Sequence, residues 1–182
     1  YILWPILGVF TLGLLSPYAF FKQKKYVVEN SGYGTTEFSF DASARDYYGI
    51  FLGLLIPLVL GLVAVYVSST MIPLASILLV LALYLYLFAY VSVKTSNLLY
   101  NSSGLGAHRM KSTMKAGEFL GIVVVNSIAV ALTLGLFHPW ARIRSLRYKL
   151  RNLTLRASGD LDSFVASEQK EVSALGEEMG DF

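Results

Sequence analysis

The sequence contains no cysteine, which excludes disulfides, thiolate metal sites and cysteine nucleophiles together. Charge is scarce too: 15% of the 182 residues are charged, against roughly 25% in ordinary soluble domains. Four stretches, residues 1–21, 48–67, 74–93 and 119–140, hold no Asp, Glu, Lys or Arg. An ion-coupled transporter usually keeps such a group at membrane depth, so proton-coupled pumping is disfavoured. Imidazole is limited to His108 and His138, and neither has a partner at metal-ligand spacing. No Gly-x-Ser-x-Gly elbow occurs. Gly32-x-Gly34 and Gly104-x-Gly106 lack the third glycine of a nucleotide fingerprint and read as turns. The expectation is a protein that is not an enzyme and that uses no metal or cofactor.

What is present is apolar. Hydrophobic residues make up 55% of the chain and the mean hydropathy is +0.57. Each charge-free stretch approaches the roughly 20 residues that cross a hydrocarbon core of about 30 Å. The first has no basic leader and does not start with Met, so it reads as part of a longer chain rather than a signal peptide. Tyr47, Tyr48 and Tyr66 bracket the second stretch, and Trp4 and Trp140 lie near segment ends, where amphipathic rings favour an interface. Six residues, Ser68 to Pro73, separate the second stretch from the third. Pro73 cannot continue a helix from behind, which predicts a tight helical hairpin.

The chain also repeats itself. Thr11-Leu12-Gly13-Leu14-Leu15-Ser16-Pro17-Tyr18-Ala19 recurs as Thr133-Leu134-Gly135-Leu136-Phe137-His138-Pro139-Trp140-Ala141, and the match continues through Tyr26 with Tyr148 and Asn30 with Asn152. A second match aligns Asp46-Tyr47-Tyr48-Gly49-Ile50 with Glu118-Phe119-Leu120-Gly121-Ile122. The unit reads as apolar helix, basic run, short β-like segment, acid, apolar helix. Ribbons are predicted over residues 26–31 with 35–40 and over 98–102 with 107–113, with 150–155 as a further strand. A lone hairpin is marginal, so these should pack into one small sheet.

The fourteen bases among residues 1–157 fall in three polar blocks against five acids, while seven of the twelve acids lie after residue 157. Basic flanks favour the cytoplasm, yet three crossings would place Lys22 and Arg142 on opposite sides. One apolar segment must therefore turn back. Residues 119–140 are the candidate, with a break at Asn126-Ser127 matching Trp4-Pro5 in the first copy. Asn126 is the one strong polar group near a segment centre. Lys22, Lys24 and Lys25, with Arg142, Arg144, Arg147 and Lys149, are the candidate contacts for anionic lipid headgroups or a partner. Topology and lipid account for these bases better than nucleic acid does.

Thr133 to Lys149, Tyr100-Asn101 followed by Gly104-Leu105-Gly106-Ala107-His108-Arg109, and the terminal Gly176-Glu177-Glu178-Met179-Gly180-Asp181-Phe182 resemble the YjgN family of bacterial inner-membrane proteins of uncharacterised function. The resemblance covers essentially the whole chain and departs at Met110 and His138. It implies a longer chain with a further N-terminal copy, and encoding beside a membrane-associated zinc peptidase as a partner.

The resulting expectation is an all-α polytopic membrane protein with small cytoplasmic β-hairpins, internal repeats and re-entrant or broken helices. Residues 1–156 form the repeat-built transmembrane domain, and residues 157–182 an acidic tail with amphipathic-helix spacing. The expected location is the bacterial inner membrane, multi-pass, with the basic loops cytoplasmic. The expected partners are membrane lipids and a membrane protein or a second copy, with no nucleic acid. Two functions fit: a scaffold or accessory subunit for a membrane protein partner such as that peptidase, or a carrier for lipid or another hydrophobic substrate.

Overall fold

A computed structural model describes residues 13–159, 165–167 and 169–170. In chain order the elements are α1 (Ser16–Glu29), β1 (Gly32–Tyr33), β2 (Thr36–Phe40), α2 (Ala44–Met71), α3 (Pro73–Asn101), β3 (Ser103–Leu105), β4 (His108–Ser112), α4 (Ala116–Leu132), α5 (His138–Arg151) and β5 (Leu153–Arg156). The chain divides into two compact units, one of Tyr1–Ala44, Leu98–Lys111 and Thr154–Phe182, the other of Arg45–Asn97 and Ser112–Leu153.

The first unit carries the predicted small sheet, five strands in the order β1-β2-β3-β4-β5. The β1–β2, β2–β3 and β3–β4 pairs are antiparallel, in registers that oppose Tyr33 to Thr36, Ser39 to Gly104 and Leu105 to His108. Phe21 of α1 stacks on Phe40 at 6.5 Å between ring centres. The first arm of each ribbon is displaced from its expected place, because helix occupies the expected residues. Residues 26–31 and 98–102 contain no strand, and β1 and β3 lie instead on Gly32–Tyr33 and Ser103–Leu105, which read as turns in the sequence. Residues 26–29 belong to α1, where Asn30 Nδ2 donates to the Tyr26 carbonyl (2.8 Å) and Ser31 Oγ to that of Val27 (2.6 Å). Residues 98–101 likewise finish α3, with Ser103 Oγ donating to the Leu99 carbonyl at 2.7 Å. Local side-chain bonds satisfy the last carbonyls of each helix and extend it at the expense of the ribbon.

The second unit is helical. α2 and α3, of 28 and 29 residues, are long and apolar enough to cross a membrane, each exceeding 40 Å at about 1.5 Å per residue. They form the expected hairpin. Met71 ends one helix, Pro73 opens the next, a Cβ on Gly53 would lie 2.7 Å from the Tyr90 hydroxyl, and one on Gly61 would strike Leu83. Pro57 lies inside α2 and removes one ladder bond. The hairpin presents its hydrophobic side chains outward, Ile56 at 70% and Leu60 at 65% exposure. Its root is tied by Asn97, whose Oδ1 accepts from Ser112 Oγ (2.6 Å) and the Met114 N–H (3.2 Å), while its Nδ2 donates to the Met114 carbonyl (2.8 Å).

Residues 119–140 are not one helix. α4 runs without interruption through Asn126 and Ser127 and ends at Leu132, so the break lies at residues 133–137 rather than at the asparagine. Asn126 sits instead on the face that meets α5. Thr133 Oγ1 donates to the Ala129 carbonyl (2.7 Å) and accepts the Phe137 N–H (3.0 Å), bridging the end of α4 to the start of α5. Gly135 at φ 95° carries the chain around, a conformation that costs other residues steric strain.

The motif around Gly135 has a counterpart 122 residues earlier. Gly13 has φ 85°, and Ser16 N donates to Gly13 O at 3.0 Å as His138 N donates to Gly135 O at 3.0 Å. α1 and α5 are both 14 residues long. Asn152 Nδ2 donates to the Tyr148 carbonyl at 2.9 Å, as Asn30 does to Tyr26. At an offset of 72, Gly34 and Gly106 have φ 63° and 56°. Residues 1–12, including Trp4-Pro5, and most of the tail from Asp160 lie outside the described residues, and with them the first break and the amphipathic reading of the tail.

Candidate functional site

The second unit contains a groove along the α4–α5 hairpin. It begins where the hairpin is clasped. The Tyr148 hydroxyl accepts the Lys115 N–H (3.0 Å) and lies within donating distance of the Lys115 carbonyl (3.1 Å) and Glu118 Oε2 (3.2 Å). Lys115 Nζ meets Glu118 Oε1 at 3.1 Å. The hydrogen bond from Lys115, followed by that from Tyr148, holds the Glu118 carboxyl below the usual carboxylate range. Burial, ahead of the Glu118 charge, pushes the Tyr148 phenol up. The Phe119 and Tyr148 rings lie 5.6 Å apart, and Lys149 Nζ sits 5.7 Å from the Phe119 centre, a cation–π arrangement.

Two turns further along α4, Asn126 faces α5. It is 7% exposed, and Nδ2 donates to the Ala141 carbonyl (3.1 Å) and to Ser145 Oγ (3.3 Å). Its Oδ1 is buried with no hydrogen-bond partner. Around it opens a cavity of about 750 Å³, lined by apolar Phe88, Val123, Val130 and Leu146, by polar Ser127 and His138, and by cationic Arg142 and Lys149. None of the lining residues is acidic. Ile143 and Leu146, both exposed, also line the cavity, while Arg147, Leu150 and Arg151 of α5 lie outside the lining.

The residues singled out from the sequence fall into separate settings. Lys22, Lys24 and Lys25 lie on α1 in the first unit, where Lys22 sits 5.7 Å from the Tyr18 ring and Lys25 pairs with Glu29 at 3.5 Å. Arg142, Arg144, Arg147 and Lys149 lie on α5 in the second unit, and of these Arg142 and Lys149 reach the groove with Asn126. His138 opens α5 and lines the groove, and the α5 N-terminus has no side-chain cap. His108 is buried on β4, its Nδ1 accepting the Ser158 N–H at 3.2 Å. Sequence reasoning missed Ser145, the Tyr148 clasp and the contribution of Phe88 and Ser92 from α3. The available signal was the equal spacing of polar positions about the Thr133–Phe137 turn, which pairs 126 with 141–145 and 118 with 148.

Comparison of the sequence with known proteins finds relatives. A stretch of 48 residues is 38% identical to "Inner membrane protein YjgN" of Salmonella typhimurium (strain LT2), covering 26% of this chain and 12% of that relative's length. No solved structure matches. The family described as "Bacterial protein of unknown function (DUF898)" matches residues 1–182, the whole of the chain, and the chain belongs to that family.

Proposed function

We propose that this chain is a polytopic inner-membrane protein, without enzymatic activity or cofactor, that binds anionic lipid in the α4–α5 groove and acts as a carrier for it. The observation that carries this reading is the groove itself, lined by apolar side chains together with Arg142 and Lys149 and by no acidic residue. A phospholipid matches that pattern: its acyl chains prefer the apolar walls, and its phosphate the cations, each worth about 1 kcal/mol near a membrane surface. The name of the inner-membrane relative supports the location. So do the outward-facing side chains of α2 and α3, since contiguous exposed apolar surface of that extent needs a cover.

Topology supports the reading too. β2 and β3 are neighbours joined through α2 and α3, and β4 and β5 are neighbours joined through α4 and α5. One sheet cannot straddle a bilayer, so each excursion returns to the leaflet it left. α2 and α3 cross and return. α4, at 17 residues, spans about 26 Å and falls short of a core of roughly 30 Å. α5 carries five bases in 14 residues, each costing about 2.5–3.5 kcal/mol at the bilayer centre. The α4–α5 hairpin therefore dips and returns with α5 near the headgroups, and the basic blocks share the cytoplasmic side. The matched turns at offsets of 122 and 72 are read as internal repeats.

Lipid mass spectrometry of protein purified from native membranes tests the carrier reading, with enrichment of anionic phospholipid expected in the wild type and lost in R142Q/K149Q. Cysteines at positions 45 and 144 should label from one side, the cytoplasmic one. Labelling from opposite faces would overturn the topology. A second reading, scaffold or accessory subunit for a membrane protein such as a membrane-associated peptidase, or for a second copy, draws on the stripe of Arg147, Leu150 and Arg151 on α5, which lies outside the groove lining. A stoichiometric co-purifying chain whose retention needs that stripe would favour it over the carrier.

A further inference from the structure

Two asparagines in the second unit differ in one respect that bears on what the groove holds. Asn97 Oδ1 accepts two hydrogen bonds, from Ser112 and Met114. Asn126 Oδ1 is buried and accepts none, although the same amide donates twice. A buried carbonyl deprived of a donor costs about 1–3 kcal/mol, so a donor supplied from outside the chain is favoured at this position. We propose that the groove selects an anionic glycerophospholipid whose headgroup carries a free hydroxyl, and that this hydroxyl donates to Asn126 Oδ1. The inference rests on the lipid-binding reading above and specifies the headgroup.

The charge of the lining decides which donor it is. Arg142 and Lys149 rim the cavity and none of the lining residues is acidic, so an ammonium headgroup would meet like charge without compensation. The donor must therefore be neutral while the lipid as a whole is negative. A glycerol headgroup on a phosphodiester has that combination: one negative charge for the cations and hydroxyl groups a few bonds away for the amide oxygen. Val123, Val130 and Leu146 provide the apolar wall for the acyl chains. Asn126 then acts as a specificity residue, contributing selectivity among anionic lipids rather than affinity for charge.

The test compares two lipids on the intact chain in detergent: phosphatidylglycerol, and phosphatidylmethanol with the same acyl chains, which keeps the charge and lacks the hydroxyls. Titration followed by native mass spectrometry should find phosphatidylglycerol bound roughly tenfold more tightly, the value of one hydrogen bond to an otherwise unmet buried acceptor. N126L should bring the two lipids to equal affinity while phosphatidylmethanol still binds. S145A, which leaves Oδ1 in place, should keep the preference. Equal affinities for the wild-type chain, a comparison that needs no variant, would overturn the headgroup assignment and leave anionic-lipid binding standing. A preference that survives in N126L would overturn it too. Failure of the wild type to bind either lipid would overturn both.

Discussion

The α2–α3 and α4–α5 hairpins each begin with an apolar helix and end as different objects. In α2–α3 the charge-free run extends from Tyr47 to the end of α2 and from Pro73 to Val93 of α3, the reversal occupies one residue before Pro73, and the long apolar side chains point outward. In α4–α5 the apolar run stops at Leu132, the reversal takes five residues, and the returning helix carries five bases with Asn126 against its inner face. The difference shows that apolar length alone does not set the path of a segment. In the proposed topology the charge on α5 sets it: a helix that carries Arg142, Arg144, Arg147, Lys149 and Arg151 is costly to bury as a second crossing.

The largest expected effect therefore comes from moving charge into the first hairpin. L60R places a guanidinium on an outward position of α2 that is 65% exposed in the isolated chain and faces lipid in the proposed topology. It should reduce the membrane-inserted fraction roughly a hundredfold, following a cost of about 3 kcal/mol at the helix centre. L150R, beside Arg147 and Arg151 on α5, should leave insertion unchanged. Carbonate-resistant membrane yield measures both, and equal losses for the two would erase the distinction between crossing and returning hairpins.

The next effect lies at the roots of the hairpins. N97A removes the three bonds that tie the end of α3 to Ser112 and Met114, leaving the Met114 N–H and carbonyl without those partners. Thermal unfolding in detergent should register a loss of about 2 kcal/mol. G135A tests the other reversal. An alanine at φ 95° is strained by roughly 1–2 kcal/mol, and G13A, with φ 85° at the corresponding turn, should cost a similar amount. A large penalty at one glycine and none at the other would argue against treating the two turns as copies.

These sites also mark how far the sequence could be read. The α2–α3 hairpin was legible because its signals are local: a charge-free run, a short polar gap and Pro73. The small sheet was legible in outline from Gly34 and Gly106, while its strand limits were not, because Asn30, Ser31 and Ser103 bond back to helix carbonyls and lengthen α1 and α3. Counting charge blocks points to an interruption within residues 119–140, and the helix does break there, but at 133–137 rather than at Asn126-Ser127. Asn126 resembles a helix breaker in sequence, and only the partners on α5, the Ala141 carbonyl and Ser145, make it an interhelical donor. The groove needed Phe88 from α3 beside Lys149 from α5, a juxtaposition of distant segments that no local pattern announces.

The smallest effect separates the two roots by pH. α3 is tied by neutral amide and hydroxyl groups, so its root should not respond to acid through Asn97. The α4–α5 clasp includes Glu118, whose carboxyl is held below its ordinary range by the hydrogen bond from Lys115 and then by that from Tyr148. A lowered folded-state pKa means that the unfolded chain takes up the proton first. The stabilisation is then present at neutral pH and is lost as pH falls through and below the ordinary carboxylate range. The Tyr148 phenol, pushed up mainly by burial, contributes in the opposite sense: its share is present below the ordinary tyrosine range and is lost as pH rises through and above that range. Y148F should cost about 1 kcal/mol at neutral pH, the value of one hydrogen-bonded hydroxyl. It should also flatten the acid limb of the stability profile relative to wild type, and remove the part of the alkaline limb due to this residue. An acid limb of equal slope in both proteins would show that Lys115 alone sets the Glu118 titration, and that the clasp between α4 and α5 is a ring contact between Phe119 and Tyr148 rather than a hydrogen-bonded one.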